Sequence, residues 1–286
     1  MKRQVPFKQV DVFTNIPFKG NPVAVVLNGD ELSTEQMQAI ANWTNLSETT
    51  FVCMPSDPQA DYRLRIFTPR SELPFAGHPT IGSAFAVLEH GIKSKTAGRL
   101  VQQCGSGLVP VHIYEDKLFL ELPEPKVKSI KSEDLAELAG ALGIDSGSVK
   151  ANAIIDVGAV WITLQLSNAD QVLDLRPDMT GLSALIPTGV TGVTVFGLTS
   201  DKAEVDMEVR SFAPTVGIIE DPVCGSGNGC VAILVKEYGL IGKSKYIAGQ
   251  GQCVGRNGKV EVRFVDNGKI LIGGQAVTCI EGTIKI

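Results

Sequence analysis

The sequence predicts an α+β fold made of two similar domains that arose by internal duplication. Strand-like segments rich in β-branched and aromatic residues dominate the 286 residues, and only a few segments show helical periodicity. The triplet FTP at 67–69 is similar to FAP at 212–214, and each is followed by a glycine-containing loop and an apolar helix. We therefore expect a first domain over 1–125 and a second over 126–286, with the last strand able to cross back to the first domain.

The composition is that of an ordinary globular protein. Hydrophobic residues make up 44% of the chain and charged residues 20%, which suffices for a core and argues against disorder. The net charge is −5 and lysines and arginines do not cluster, so nucleic acid is not expected as a partner. No apolar run approaches the roughly 20 residues that span a bilayer, and the N-terminus lacks the apolar stretch of a signal peptide. The sequence thus predicts a soluble cytoplasmic protein without a membrane partner.

The first half is predicted to contain strands and one capped helix before its glycine-containing loop. Ser33 begins the helix with the pattern S-x-x-Q, which ends at Gln36 and forms a capping box, and the helix ends near Asn45. The strand-like segments here are 9–13, 23–27, 48–54, 61–67, 100–103, 108–114 and 117–121.

The second half begins after a segment with two prolines, 121–129, that is typical of a linker. Ser132 is predicted to cap a helix over 133–142 that stops at Gly143, and a further helix over 231–238 ends at Gly239. The strand-like segments here are 151–157, 159–166, 190–198, 205–212, 260–264, 269–272 and 276–280.

Two similar loops, one in each half, are the predicted ligand-binding segments. FAGHPTIGSAF at 75–85 and VCGSGNGCVAI at 223–233 each follow a strand and lead into an apolar helix. A helix N-terminus exposes N–H donors and positive partial charge, and glycines let a ligand approach the backbone closely. Two such ends aimed at one ligand would hold a carboxylate or stabilise an enolate.

Four ordered motifs then point to a family. QVDVFTNIPFKGNPVAVV (9–26), NLSETTFV (45–52), RIFTPRSELPFAGHPTIGSA (65–84) and EDPVCGSGNG (220–229) resemble, in this order, the phenazine-biosynthesis-like PhzF family of the diaminopimelate epimerase fold. The resemblance covers nearly the whole chain. It implies two similar domains, each a curved sheet or barrel around a central helix, with the active site between them. It also implies an isomerase that needs no cofactor or metal and that forms a homodimer.

Glu48 is the residue that the resemblance assigns as the acid/base. It follows a helix and opens an apolar strand, where desolvation would raise the pKa of its carboxyl toward the working pH. The alternative from the residues alone is an exposed carboxylate at the end of a strand.

His78 is expected at the N-cap of a helix, with Pro79 at the first helical position. The positive partial charge there favours a neutral imidazole. The resemblance implies that His78 and Gly77 contact the substrate, whereas the residues alone also allow a histidine bonded to loop backbone. Asn21 is either a substrate ligand or part of an Asn-Pro turn.

The resemblance implies that Asp221 and Ser226 line the substrate pocket, together with Gly225 and Gly227. Asp221 would orient a substrate amine, and Ser226 would contact a carboxylate through its hydroxyl and N–H. The alternative for Asp221 is a turn residue before Pro222.

Cys224 is the ambiguous position. The six cysteines show no metal-binding spacing, and most are expected to be buried small hydrophobes. Aligning the two loops by their glycines places Cys224 opposite Ala76, which disfavours a two-cysteine racemase. A thiol at a helix N-terminus has a lowered pKa, so chemistry at Cys224 stays open.

The resulting prediction is a cofactor-independent isomerase in which Glu48 moves a proton on carbon of a small carboxylate-bearing metabolite. One alternative is a catalytically silent member of the fold that binds small molecules or proteins. The other is a racemase or epimerase that uses Glu48 with Cys224.

Overall fold

The computed structural model of the protein describes residues 4–200 and 203–286. The chain divides into two compact units: the described residues of Met1–Glu121 together with Gly273–Ile286, and those of Leu122–Ile272. The final strand therefore belongs to the first unit. The domain boundary at 125/126 stays a prediction.

The described elements are mostly strands, with six α-helices. In chain order they are β1 (Gln4–Val12), β2 (Asn21–Val26), α1 (Thr34–Thr44), β3 (Thr49–Cys53), β4 (Tyr62–Phe67), β5 (Glu72–Leu73), α2 (Gly77–Glu89), β6 (Arg99–Cys104), β7 (Gly107–Tyr114), β8 (Lys117–Glu121), β9 (Lys126–Lys128), α3 (Ser132–Leu142), β10 (Ala151–Asp156), β11 (Val160–Gln165), α4 (Ala169–Leu173), α5 (Met179–Leu185), β12 (Gly192–Leu198), β13 (Met207–Ala213), β14 (Ile218–Asp221), α6 (Gly225–Tyr238), β15 (Lys245–Gln250), β16 (Gly258–Phe264), β17 (Ile270–Gly274) and β18 (Ala276–Lys285).

The sheet of the first unit surrounds α2. Strand β1 pairs antiparallel with β18 and with β2, and β2 pairs parallel with β3. The ladder continues antiparallel to β4, parallel from β4 to β6, and antiparallel to β7 and β8. Helix α2 contacts β1, β2, β3, β4, β6, β8 and β18 and is buried along most of its length. Gly82 permits this packing, because a β-carbon there would lie 2.4 Å from Val23 Cγ1.

The second unit repeats this ladder around α6. Strand β11 pairs antiparallel with β10 and parallel with β12, and β12 pairs antiparallel with β13. Strand β13 then pairs parallel with β15, which pairs antiparallel with β16. Helix α6 contacts β10, β11, β12 and β16. A separate apolar cluster packs α3, α4 and α5 on this sheet around Leu138, Val172, Leu182 and Phe212.

The same arginine clamp occurs in both units. Arg65 lies 5.2 Å from the centre of the Phe67 ring and forms two hydrogen bonds of 2.7 Å with Glu72. Arg210 lies 5.0 Å from the Phe212 ring and forms the same pair of bonds with Glu220, at 3.0 and 2.8 Å. The repeated ladder and clamp confirm the predicted α+β fold of two similar halves.

The predicted ends of α1 agree with the structure, whereas α3 was predicted correctly only at its C-terminal end. The capping box of α1 is confirmed, since Ser33 and Gln36 bond each other's backbone N–H. Helix α3 stops at Gly143 as predicted, in the left-handed region at φ 77°. Its cap is Lys131 rather than Ser132, which is already the first helical residue. Ser132 therefore accepts no capping hydrogen bond.

The glycines of the second loop extend the helix instead of preceding it. Helix α6 begins at Gly225, six positions before the predicted start at 231. A β-carbon at Gly227 would lie 2.7 Å from Ser211 Oγ, and one at Gly229 would lie 2.9 Å from Leu122 Cδ2. Close packing therefore favours glycine at these two positions of the helix, and tertiary contacts override its low helix propensity.

Other elements were missed because their sequence signal is short or weak. The predicted linker at 121–129 contains β9, which pairs with β10. Helices α4 and α5 and strand β15 were not predicted. Among the residues that the structure describes, none of the helices has both the length and the apolar character to cross a membrane.

Candidate active site

Glu48 lies at the entrance to β3 in the first unit. Its backbone carbonyl accepts the Ala24 N–H of β2 at 3.4 Å, and its side chain is only 15% exposed. Glu48 Oε2 lies 3.4 Å from His78 Nε2. Burial raises the pKa of the Glu48 carboxyl, and a hydrogen bond from the Ser47 side chain opposes this in part. Glu48 is therefore not the exposed carboxylate of the alternative, and it can exchange a proton closer to neutral pH than a solvated glutamate does.

His78 occupies the first turn of α2 rather than its cap. The N-cap is Ala76, so His78 is the second helical residue and Pro79 the third. The predicted N-cap position of His78 and first helical position of Pro79 are both wrong by two residues. Proline is still tolerated because the first N–H groups of a helix have no intrahelical acceptor. His78 is buried, with 8% of its surface exposed, and it faces Glu48.

Gly77 and Asn21 flank this pair in the sequence-based prediction. A β-carbon at Gly77 would meet nothing within 4 Å, so space is open at the start of α2. Asn21 is 1% exposed and is the first residue of β2, where it pairs with Val12. It thus lies in a strand rather than in a turn. That either residue binds a substrate stays a prediction.

Cys224 is the N-cap of α6, as Ala76 is of α2, which confirms the alignment of the two loops. Its Sγ accepts the Gly227 N–H at 3.2 Å. Burial, and next the charge of Asp221, raise the pKa of the Cys224 thiol well above its usual value. The lowered pKa expected at a helix N-terminus is not found, because burial outweighs the effect of the helix.

Ser226 is the second residue of α6 and is partly exposed. Its Oγ accepts a hydrogen bond of 2.9 Å from the indole Nε1–H of Trp161, which belongs to β11. Cys224 Sγ lies 3.7 Å from the same oxygen. Gly225 and Gly227 precede and follow Ser226, and close packing against Ser211 favours glycine at 227.

Asp221 ends β14 and forms the turn that the sequence offered as an alternative. Its Oδ1 accepts the Val223 N–H at 3.0 Å across Pro222, which fixes the chain before α6. This turn leaves a role for the carboxylate toward a substrate amine as a prediction.

Gln250 is a residue that sequence reasoning missed. It is 1% exposed at the end of β15, and its Oε1 accepts the Cys224 N–H at 3.1 Å and Asn228 Nδ2 at 2.8 Å. Its Nε2 donates to the Asp221 carbonyl at 3.0 Å. One buried amide therefore holds both ends of the segment that contains Ser226. Its partners lie more than twenty positions away in sequence, so no local pattern could have found it.

Gln102, on β6, makes a similar contact with the first turn of α2 in the first unit. Its Nε2 donates to Thr80 Oγ1 at 3.1 Å, and its Oε1 accepts the Tyr62 hydroxyl at 3.0 Å. Thr80 and Asn228 are both the fourth residue of their helices. Each unit thus fixes the first turn of its central helix with a buried glutamine.

The register of the strands shows which residues correspond between the units. Thr49 pairs with Phe67 and Val193 pairs with Phe212, so Glu48 corresponds to Gly192. A β-carbon at Gly192 would lie 2.1 Å from the carbonyl oxygen of Phe212, which excludes any side chain. The second unit therefore has no counterpart of the Glu48 carboxyl.

Within the described ranges 4–200 and 203–286, no three or more His, Cys, Asp or Glu side chains come together where they could hold one metal ion.

Comparison with known proteins places the chain in a family. The model of the family described as phenazine biosynthesis-like protein matches residues 10–282. The chain belongs to this family, as its motifs indicated.

Curated relatives and solved structures cover nearly the full length. The chain is 44% identical to Antisense-enhancing sequence 1 of Schizosaccharomyces pombe, over 96% of this chain and 97% of the yeast protein. It is 33% identical to the trans-2,3-dihydro-3-hydroxyanthranilate isomerase of Pseudomonas fluorescens, over 97% and 98%. The crystal structure of a Bacillus anthracis PhzF-family protein superposes with a TM-score of 0.87 at 26% identity, over 99% and 100%. The chain is thus an isomerase of the PhzF-like family with the expected epimerase-type fold.

Proposed function

We propose that this isomerase moves a proton on carbon of a small carboxylate-bearing metabolite, without a cofactor, and that Glu48 is the acid/base. The observation that carries the proposal is the buried Glu48 carboxyl, with its raised pKa, 3.4 Å from His78. A relative is named for the isomerisation of trans-2,3-dihydro-3-hydroxyanthranilate, which is an amino- and hydroxy-substituted carboxylic acid. That name supports the substrate class and leaves the substrate of this chain open.

Glu48 would act first as a base and then as an acid. As the carboxylate it accepts a proton from an acidic C–H, and the electron pair of that bond delocalises into the unsaturated substrate. The protonated carboxyl then returns the proton at another carbon. Burial favours the protonated state, so Glu48 can retain the proton between the two steps. His78 would hydrogen-bond the substrate beside the reacting carbon.

The remaining residues would bind and orient the substrate. Ser226 would contact the carboxylate through its hydroxyl, with the backbone of Gly225 and Gly227 beside it, and Asp221 would orient an amine. In the first unit, Gly77 and Asn21 would complete the contacts. This assignment rests on the family motif, on the open space at Gly77 at the start of α2 and on the partial exposure of Ser226 at the start of α6.

The structural observations do not favour the racemase that pairs Glu48 with Cys224. The thiol is 4% exposed, its sulfur already accepts the Gly227 N–H, and its pKa is raised. A thiolate is therefore less available here than at an exposed helix N-terminus. We expect Cys224→Ser to retain most of the activity, and loss of turnover in that variant would restore the racemase as the better proposal.

Glu48→Gln is the test of the mechanism. We expect the unsubstituted protein to catalyse exchange of solvent deuterium into trans-2,3-dihydro-3-hydroxyanthranilate, followed by proton NMR. Glu48→Gln should slow this exchange by about 100- to 10,000-fold, the usual contribution of a general acid/base. Glu35→Gln, which changes an exposed carboxylate on α1, is the control and should leave the rate unchanged.

Two outcomes would contradict the proposal. A fast Glu48→Gln enzyme would remove Glu48 from the mechanism. An unsubstituted protein that binds the probe without exchanging a proton would favour the catalytically silent binding protein.

We also propose, from the family resemblance, that the protein is a cytoplasmic homodimer. Light scattering coupled to size-exclusion chromatography tests the dimer, and a monomer at micromolar concentration would contradict it.

A further inference from the structure

Trp161 is a buried residue that the proposed mechanism does not use. Its side chain is 2% exposed, and its indole Nε1 lies 2.9 Å from Ser226 Oγ. We infer that Trp161 is a positioning residue that directs the Ser226 hydroxyl proton toward the substrate carboxylate and so favours carboxylates over neutral ligands. This inference rests on the proposed role of Ser226 in binding that carboxylate.

The donors and acceptors of the two groups determine where the hydroxyl proton points. An indole N–H can only donate, whereas a serine hydroxyl has one proton and two lone pairs and rotates freely. The indole proton occupies one lone pair of Ser226 Oγ, so the hydroxyl proton must point away from Trp161. An anionic oxygen is the strongest acceptor for a proton directed in this way.

The group nearest to the Ser226 hydroxyl on the same loop, the Cys224 thiol, is only a weak acceptor for the hydroxyl proton. Cys224 Sγ lies 3.7 Å from Ser226 Oγ, and a thiol sulfur is a weak acceptor. The same sulfur already accepts the Gly227 N–H at 3.2 Å. A ligand carboxylate can therefore replace the sulfur as the acceptor with a gain in hydrogen-bond strength.

Gly192 explains how the indole reaches this position. Trp161 and Gly192 are paired residues of β11 and β12, and a β-carbon at Gly192 would lie 2.8 Å from Trp161 Cζ3. The missing side chain thus makes room for the indole ring. Because Gly192 corresponds to Glu48, the two units differ at the same place. In the first unit the Glu48 carboxyl faces His78, the second residue of α2. In the second unit the Trp161 indole N–H faces Ser226, the second residue of α6.

The experiment compares two ligands that differ in the carboxylate. The probes are 3-hydroxyanthranilate, an aromatic analogue of the substrate named for the Pseudomonas relative, and 2-aminophenol, which lacks the carboxylate. Calorimetry gives the Kd of each for the unsubstituted protein, Trp161→Phe, Ser226→Ala and the double variant. Trp43→Phe changes the other tryptophan, which is 80% exposed, and is the matched control.

We expect Trp161→Phe to weaken 3-hydroxyanthranilate about three- to tenfold, the effect of one hydrogen bond, with little change for 2-aminophenol. Ser226→Ala should weaken it at least as much. Adding Trp161→Phe to Ser226→Ala should then have no further effect, because the indole acts through the hydroxyl. The Trp43→Phe control should bind both probes as the unsubstituted protein does.

Failure of the inference can be distinguished from failure of the proposed function. If Ser226→Ala weakens the carboxylate probe and Trp161→Phe does not, Ser226 binds the ligand and the role of Trp161 is wrong. Equal effects of Trp161→Phe with and without the Ser226 hydroxyl would also overturn it. If Ser226→Ala has no effect, or if the unsubstituted protein binds neither probe, the proposed carboxylate contact itself is contradicted.

A measurement on the native tryptophan covers the case in which Trp161→Phe does not fold. The chain has two indole N–H resonances, and Trp43→Phe identifies the one from Trp161. We expect Ser226→Ala to shift the Trp161 resonance and to speed its hydrogen exchange. An unchanged resonance would show that the hydrogen bond does not set the hydroxyl and would overturn the inference.

Discussion

At the scale of single residues, burial decides the behaviour of the titratable groups. Glu48, Glu208 and Cys224 all have raised pKa values, with loss of solvation as the largest cause in each case. For Glu48 this suits proton transfer, whereas for Cys224 it removes the advantage of a helix N-terminus. The type of residue alone therefore does not indicate reactivity, since both effects depend on what surrounds the side chain.

Glu208 allows a quantitative prediction about stability. Its side chain is buried, one oxygen accepts from Gln252 Nε2 at 2.7 Å, and burial raises its pKa from 4.5 to about 6. A carboxyl whose pKa is higher in the folded state binds more protons there, so stability falls as the pH rises from 4.5 to 6. The loss is up to about 2 kcal/mol.

We therefore expect Glu208→Gln to reduce the difference in unfolding free energy between pH 4 and pH 8 by about that amount. Urea unfolding at the two pH values measures it. Glu124→Gln, at an exposed site, is the control and should leave the difference unchanged. A Glu208→Gln protein with the same pH dependence as its parent would contradict the assignment.

At the scale of elements, the first turns of α2 and α6 are fixed by side chains from distant strands. Gln102 holds Thr80, and Gln250 holds Asn228 together with the Cys224 backbone. Helix propensity would not place a start at Gly77 or Gly225, because glycine is a poor helix former. Tertiary hydrogen bonds act on both helix starts, and close packing at Gly227 adds to them in α6. These starts position His78 and Ser226.

Gln250→Glu tests this role of the buried amide. At low pH a protonated glutamic acid retains an acceptor for the Cys224 N–H and a donor for the Asp221 carbonyl. Its pKa in the folded protein should be raised by burial, so the variant should lose stability as the pH rises through that pKa. We expect a Tm close to that of the unsubstituted protein at pH 4 and a clear loss at pH 8.

Gln59→Glu introduces the same charge at an exposed position and should show little of this loss. If both variants respond alike to pH, the buried bonds of Gln250 do not hold the segment.

Gly192 at the start of β12 and Gly77 at the start of α2 differ in how closely their surroundings pack. A β-carbon at Gly192 would lie 2.1 Å from backbone oxygen, and one at Gly77 would meet nothing within 4 Å. We expect Gly192→Ala to destabilise the protein by about 1–3 kcal/mol or more, as overpacking does, and Gly77→Ala to change stability little. Thermal unfolding of the two variants measures this. Equal stabilities would mean that β12 can move away from its neighbours.

At the scale of the whole molecule, the two units share one architecture but differ in the residues at corresponding positions. Both units have the same order of strand pairing, an arginine clamp, a central helix and a buried glutamine. They differ at Glu48 against Gly192 and at Ala76 against Cys224. One unit therefore carries the proposed proton-transfer group, Glu48, and the other carries the proposed carboxylate contact, Ser226.

The clamps themselves should differ in their contribution to stability. Arg210 and Glu220 are both 7% exposed at the side chain, whereas Arg65 and Glu72 are 18% and 39% exposed. Removing one partner of a buried ion pair costs about 3–5 kcal/mol, and an exposed pair contributes about 1 kcal/mol or less. We expect Glu220→Gln to destabilise the protein far more than Glu72→Gln. Denaturant unfolding tests the ranking, and the reverse order would contradict the burial argument.

The sequence by itself determined the α+β class, the duplication, the family and the identity of the two loops. Those properties are local or repeated along the chain, as with the capping box at Ser33, the stop at Gly143 and the answering triplets at 67–69 and 212–214. Only the tertiary structure decided that the Glu48 carboxyl is largely buried beside His78, that the Cys224 thiol is shielded from solvent, and that Trp161 and Gln250 bond residues at the start of α6. The physical reason is that desolvation and hydrogen bonding depend on residues brought together from distant strands, which leave no pattern in the neighbouring sequence.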